Sequence, residues 1–292
     1  MRCIALLTDS GSDLPQDVTE RCGITILPMA YNVNGVEYER ATQSDEQISD
    51  FYNQMRGGAL SVTSQINPDG FLAAFIPLIE EGREILYIGL SSGLSGTVNS
   101  ANMALCQLAE SHPDAKIRVV DSLCASMGLG MLVYLTAQKL DEGCTLDEAA
   151  EYAEETKLCM NHIFTVDDLM FLKRGGRLSG ASALLGTLLH IKPVMYVDNE
   201  GHLLVREKVS MRKRAIRALA DAMKARATQS DTVFVSHGDA SQDCDAVMEA
   251  CREYFPDIKT FIKGQVGPVI GSHSGPGTLA LFFLGRNRED AR

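Results

Sequence analysis

From Ile85 to Leu90 the chain reads Ile-Leu-Tyr-Ile-Gly-Leu, six residues without a charge. A strand with no polar alternation needs cover on both faces, which is the condition of a strand inside a parallel sheet flanked by helices. Behind it come Ser91-Ser92-Gly93-Leu94-Ser95-Gly96-Thr97 and a helical segment over 96–110. The same grammar recurs through the first half. Cys3–Leu7 is a short apolar run, Ile24–Val33 a second ending in the hairpin dipeptide Asn34-Gly35, and Ile117–Asp121 a further strand. Helices are expected at 44–56, 68–82, 124–141 and 145–158. This order of strand and helix predicts a parallel α/β/α sheet.

The second half departs from that pattern. Strands at 161–166, 192–198 and 202–208, the last two joined by Asn199-Glu200-Gly201, mix a hairpin with helices at 167–173, 212–226 and 241–254. A strand over 232–236, apolar runs at 258–263 and 277–284, and an apolar helical turn or two at 182–189 complete it. The expectation is an α/β protein with two domains: 1–160 around a parallel sheet and 161–292 around a mixed sheet. The length of 292 residues suits two domains.

A hydrophobic fraction of 45% with 22% charged residues excludes disorder, collagen and coiled coil. The opening Met1–Asp9 is too short in apolar residues for a signal peptide, and no run nears the roughly 18 residues of a membrane span. A soluble cytoplasmic protein is expected. The eight cysteines show no C-x-x-C pair and irregular spacing, so they are read as reduced thiols and no metal site is expected. The net charge of −11 disfavours nucleic acid and anionic membranes as partners. Residues 157–226 nevertheless hold 13 Lys+Arg against 6 Asp+Glu. That basic third suits an anionic ligand or an acidic partner, or is a set of solvated helix faces.

Four stretches carry candidate chemistry. Asn67-Pro68 is a helix start, which puts Thr63 and Ser64 in a loop before it, with hydroxyls able to donate to an anion. Ser91–Thr97 lies between a strand and a helix N-terminus, where amide N–H groups and the helix dipole favour an anion, and Ser95 with Gly96 sits at that terminus. Lys173-Arg174-Gly175-Gly176-Arg177-Leu178-Ser179 is a bent cationic turn suited to gripping a carboxylate or phosphate. Gly267–Gly277 is dense in Gly and Pro and reads as a tight loop holding His273. Histidines 112, 162, 190, 202 and 237 show no ligand spacing and are read as structural. No P-loop, dinucleotide fingerprint or hydrolase elbow is present.

Taken in order, these stretches resemble the DegV family. The family's Thr-Ser-Gln loop stands at Thr63–Gln65, its Ser-Ser-x-Leu-Ser-Gly-Thr loop at Ser91–Thr97, Lys-x-Gly-Gly-Arg at Lys173–Arg177, Ile-Lys-Pro at Ile191–Pro193 and Gly-x-His-x-Gly-Pro-Gly at Gly271–Gly277, after an Asp-Ser-x-Ser-Asp-Leu start at Asp9–Leu14. Ile66 replaces a common Pro, and Ser274 a common Thr. The resemblance implies a two-domain DegV-like fold that buries a long-chain fatty acid in a tunnel. It implies a lipid-carrying subunit of a fatty acid kinase, feeding phospholipid metabolism, whose ATP-binding partner subunit phosphorylates the presented carboxylate to an acyl phosphate. Thr63, Ser95 and His273 would bind the carboxylate, supported by Ser64 and Gly96. Arg177, with Arg174 and Lys173, would face the phosphate or the partner. No cofactor is implied beyond the bound fatty acid, catalysis is expected on the partner, and any membrane contact would be transient and at the surface. Two other readings stay open: an acyl-ester hydrolase or acyltransferase with Ser95 as nucleophile and His273 as base, and a fatty-acid-sensing regulator.

Overall fold

The computed structural model describes residues 3–178 and 191–288. Ser179 of the cationic turn, the helical turns expected at 182–189 and His190 lie outside the described residues. The chain opens with β1 (Ile4–Asp9), α1 (Gln16–Cys22), β2 (Ile24–Leu27), β3 (Ala30–Val33), β4 (Val36–Glu39) and α2 (Asp45–Arg56). It continues through β5 (Ser61–Thr63), α3 (Pro68–Glu80), β6 (Glu84–Gly89), α4 (Thr97–Ser111), β7 (Ile117–Asp121), α5 (Met127–Asp141) and α6 (Leu146–Thr156). Then follow β8 (Met160–Thr165), α7 (Met170–Arg174), β9 (Ile191–Val197), β10 (Leu203–Ser210), α8 (Arg212–Arg226), β11 (Thr232–His237), α9 (Ser241–Tyr254), β12 (Thr260–Gln265), α10 (Pro268–Ser274) and β13 (Leu279–Leu284).

Three sheets result. The first is parallel, in the order β2-β1-β6-β7. Its central strand β6 is buried from Ile85 to Ile88, as an unalternating apolar strand must be. The large mixed sheet runs β10-β9-β8-β13-β11-β12, with β11 and β12 parallel and the other pairs antiparallel. A small antiparallel sheet, β4-β3-β5, was not expected. The run 24–33 breaks at Pro28-Met29 into β2 and β3, which join different sheets. Asn34 and Gly35 take φ of 51° and 90°, the primed-turn geometry that Asn-Gly favours, and close the β3–β4 hairpin.

Two readings of the sequence need correction. Thr63 is the last residue of β5, paired with Tyr31, and only Ser64 belongs to the following loop. The stretch 267–277 is not all loop: α10 occupies Pro268–Ser274 and carries His273 in its last turn. Proline at the first helical position and Gly275 at the end, with φ of 78°, frame a short helix by the usual asymmetry of helix termini. Part of the basic third resolves into ion pairs. Lys157 pairs with Glu154, Lys192 with Asp167, Arg212 with Asp167 and Asp243, and Arg217 with Asp221 and Glu253. Lys173, Arg174 and Arg177 form no ion pair among the described residues.

No helix among the described residues is long and apolar enough to cross a membrane.

Candidate functional site

The site lies beyond the carboxyl ends of the parallel strands, where open α/β sheets bind ligands. Asp9, the last residue of β1, is fully buried and fixes this edge. Its carboxyl accepts from Gly11 N–H at 3.0 Å, from Tyr87 Oη at 2.7 Å and from Leu90 N–H at 2.8 Å. Burial raises its pKa. The loop after β6 is then held from outside. Ser91 Oγ donates to Gly201 O at 3.0 Å, so the tip of the β9–β10 hairpin sits on it. Gly93 has no room for a side chain, because a Cβ there would lie 2.7 Å from Glu200 O. Ser95 Oγ accepts from Thr97 N–H at 3.3 Å and shares a 2.8 Å hydrogen bond with Thr97 Oγ1, with Gly96 as the N-cap of α4.

On the facing side α10 packs against α7, β3 and β5. This brings His273 Nε2 to 2.8 Å from Thr63 Oγ1. His273 Nδ1 is buried and has no hydrogen-bond partner among the described residues. Burial, then the positive charge of Arg177, lowers the His273 pKa to about 4, so the ring is neutral at pH 7. Gly175 passes directly over it: a Cβ at Gly175 would lie 2.2 Å from Nδ1. Arg177 spans two segments, donating from Nε to Leu94 O at 3.0 Å and from Nη1 to Gly175 O at 2.5 Å.

Thr63, Ser95, Gly96, Arg177 and His273 all line one cavity. The rest of its wall is largely apolar. One face of the large sheet forms the floor, where Phe164 and His162 of β8 sit opposite Ala280 and Phe282 of β13. Leu90, Leu94 and Val269 close over it. The ring of His162, read as structural, is part of this floor. Its Nε2 accepts from Ala125 N–H at 3.3 Å, so Nδ1 carries the proton and donates to Met160 O at 2.9 Å. Burial holds its pKa down to about 3.

A second, outer basin shares Thr63, Arg177 and His273 with the cavity and adds Arg174, Phe171 and Leu60. These three groups therefore stand between an apolar interior and the surface. Leu60 and Val62 beside it are 63% and 64% exposed. Arg174 lies 4.7 Å over the Phe171 ring. Lys173 is exposed and lines neither space. Ser64 is exposed, and its N–H donates to Ala30 O at 2.9 Å.

The dyad of the hydrolase reading is not assembled. His273 Nε2 pairs with Thr63, Ser95 Oγ pairs with Thr97, and no carboxylate orients His273 among the described residues. His202, read as showing no ligand spacing, gathers with Asp198 and Glu200 at the β9–β10 turn, their ligand atoms within 4.8 Å of one another. There the Asp198 carboxylate already accepts the N–H groups of Glu200 and His202. Sequence reading missed Gln65 in the cavity wall, although the family pattern ends on it. It also missed Asp13, which sits half-buried beneath α10, accepts from Gly267 N–H at 2.9 Å and from Ser126 Oγ at 2.6 Å, and is pushed up to about 8 by desolvation.

The sequence profile described as uncharacterised protein, DegV family, matches residues 3–286. The chain belongs to the DegV family. A DegV domain-containing protein of Clostridium perfringens is 40% identical over 291 residues, covering 99% of this chain and all of that one. Among solved structures, a fatty-acid-binding DegV family protein from Thermus thermophilus superposes with a TM-score of 0.87 at 32% identity, covering 98% of this chain and 100% of that one. DegV of Bacillus subtilis, a fatty acid binding protein, superposes at 0.81 with 27% identity, over 98% of this chain and 100% of its own. The DegV-like α/β fold is thus shared along the whole length.

Proposed function

We propose that this DegV protein binds a long-chain fatty acid, with the acyl chain in the cavity and the carboxylate at the Thr63–Ser95–His273 end, and presents that carboxylate to an ATP-binding kinase subunit. The observation that carries the reading is the placement of Thr63, His273 and Arg177 on both the apolar cavity and the outer basin. A carboxylate held there can be reached from outside while the chain stays buried. The relatives from Thermus and Bacillus, described as fatty acid binding, support the ligand class.

The division of labour follows from the chemistry of the groups. Burial of the chain supplies affinity at about 0.8 kcal/mol per methylene, less the cost of association. Two hydroxyls and a neutral imidazole hold the head, while two of the Arg177 N–H groups are turned to backbone carbonyls. In the transfer step a carboxylate oxygen attacks the γ-phosphorus of ATP. The bond from phosphorus to the ADP oxygen breaks, giving acyl phosphate and ADP. Arg177 and Arg174 offer positive charge beside the growing phosphate, with Lys173 on the same helix, and the partner supplies catalysis.

The test is extraction of lipid from the purified protein, followed by calorimetry with palmitic acid and with 1-hexadecanol. Hydrogen bonds to a charged acceptor contribute roughly 1.5–3 kcal/mol, so Thr63→Ala or Ser95→Ala should each weaken the acid about 10- to 150-fold. Their effects should be non-additive, since they share one ligand group. Equal losses for acid and alcohol, or absence of any bound or titratable fatty acid, would overturn the reading.

A further inference from the structure

Thr63 and Ser95 lie on segments that approach each other from different elements, the end of β5 and the loop before α4. Gln65 crosses between them. Its Nε2 donates to Ser100 Oγ at 3.0 Å, in the first turns of α4, where Ser100 is 1% exposed. Among the described residues this is the one hydrogen bond between segment 61–67 and segment 90–111. Its Oε1 lies flat on the α4 N-cap: a Cβ at Gly96 would come within 2.1 Å of Oε1 and 2.9 Å of the amide carbon. Gln65 and Gly96 both line the cavity at its polar end. The amide therefore occupies the space that any side chain at position 96 would take, and the absence of that side chain is what lets the two segments close.

We infer that Gln65 is a positioning residue that sets the spacing of the Thr63 and Ser95 hydroxyls, and that this spacing makes the site discriminate a carboxylate from a neutral head group. The inference rests on the fatty-acid reading above. A carboxylate offers two oxygens in a fixed fork and can use both hydroxyls together, while an alcohol offers a single oxygen and gains little from the second donor. Loosening the clasp therefore costs the acid a hydrogen bond to a charged acceptor and leaves the alcohol almost untouched. Gln65 is exposed at the mouth, so its replacement leaves the core intact.

The experiment compares dissociation constants for palmitic acid and 1-hexadecanol in the wild type, Gln65→Leu, Gly96→Ala and the double variant. Gln65→Leu removes the donor, and Gly96→Ala drives the amide off the helix end by a different route. Each should weaken the acid about 10-fold while changing the alcohol less than about 3-fold. The double variant should match either single one, because both break the same contact. On a Thr63→Ala background, Gln65→Leu should cost the acid nothing further. A purely structural role would lower both ligands together, and that result, or an unchanged acid-to-alcohol ratio, overturns the assignment. If the wild type binds neither ligand, the fatty-acid reading itself fails, which is a different outcome from wild-type binding with an unmoved ratio.

Discussion

Replacing Asp13 with asparagine should reduce the protein's loss of stability between pH 6.5 and 8 by about 1.5 kcal/mol. Asp13 is half-buried beneath the first turn of α10, and its carboxyl is pushed from 3.8 up to about 8, first by desolvation of the carboxyl and in smaller part by the nearby charge of Asp9. For an acid whose folded pKa is raised, the folded state keeps a proton that the unfolded chain releases. The contribution to stability is complete below pH 3.8 and is lost as pH rises through 8. At 1.36 kcal/mol per unit, the full span is about 6 kcal/mol, of which about 1.5 kcal/mol falls between pH 6.5 and 8. The buried histidines titrate in the opposite sense and below this window. His162 and His273 have pKa values lowered to about 3 and about 4, so they raise stability as pH climbs toward 6.5. They are common to both proteins and cancel in the difference. Asparagine keeps the geometry: its oxygen can accept from Gly267 N–H, its amide can donate to Ser126 Oγ, and it tolerates the left-handed φ of 52° at this position. Urea unfolding at half-unit pH steps measures the effect. Parallel curves for the two proteins from pH 6.5 to 8 would show that Asp13 is ionised throughout and would refute the argument.

Gly175→Ala should displace the His273 ring, since the added Cβ would lie 2.2 Å from Nδ1, and should weaken fatty-acid binding about 10-fold with only a modest change in urea midpoint. Calorimetry beside urea unfolding separates the two effects. Thiol titration with an aromatic disulfide should find Cys3 and Cys106 first, because they are exposed. Cys124, Cys244 and Cys251 are buried with pKa values raised to about 11, about 12 and about 12, and should react only after unfolding.

Elements with a strong period or clear punctuation were legible before the structure. The helices at 212–226 and 241–254 stand where expected, and Asn67 caps α3 through Gly70 N–H as its Asn-Pro start implied. β1 and β6 pair directly, which the placement of two hydroxyl loops at one edge required. What escaped was short or set by distant partners. β5 has three residues and exists through its pairing with Tyr31–Val33. α10 is about two turns long, and its Gly and Pro content outweighed its terminal pattern. Of the site, the hydroxyls and His273 could be nominated from local motifs. The seating of Arg177 between Leu94 O and Gly175 O depends on contacts from a loop 83 residues earlier in the chain, which no local pattern encodes. Gln65 hid for a simpler reason: a glutamine in a turn carries no chemical signal until the glycine beneath it is seen.

Two reverse turns of this chain look alike on paper and differ in what they permit. Asn34-Gly35 projects into open space, with nothing within 4 Å of a Cβ built on Gly35. Asn199-Glu200-Gly201 is wedged into the wall of the site, where a Cβ on Gly201 would meet Ser91 Oγ at 1.9 Å and Leu123 Cα at 3.2 Å. An affinity tag, a fluorophore or a circular-permutation break belongs at the first turn, where only backbone conformation constrains the sequence. At the second, any added bulk levers the Ser91–Thr97 loop away from the large sheet. The hairpin tip is thus a lever arm on the Ser91–Thr97 loop, more than a hundred residues away in sequence, and under the proposed function it gives an engineer a way to tune ligand hold without touching a residue proposed to meet the ligand.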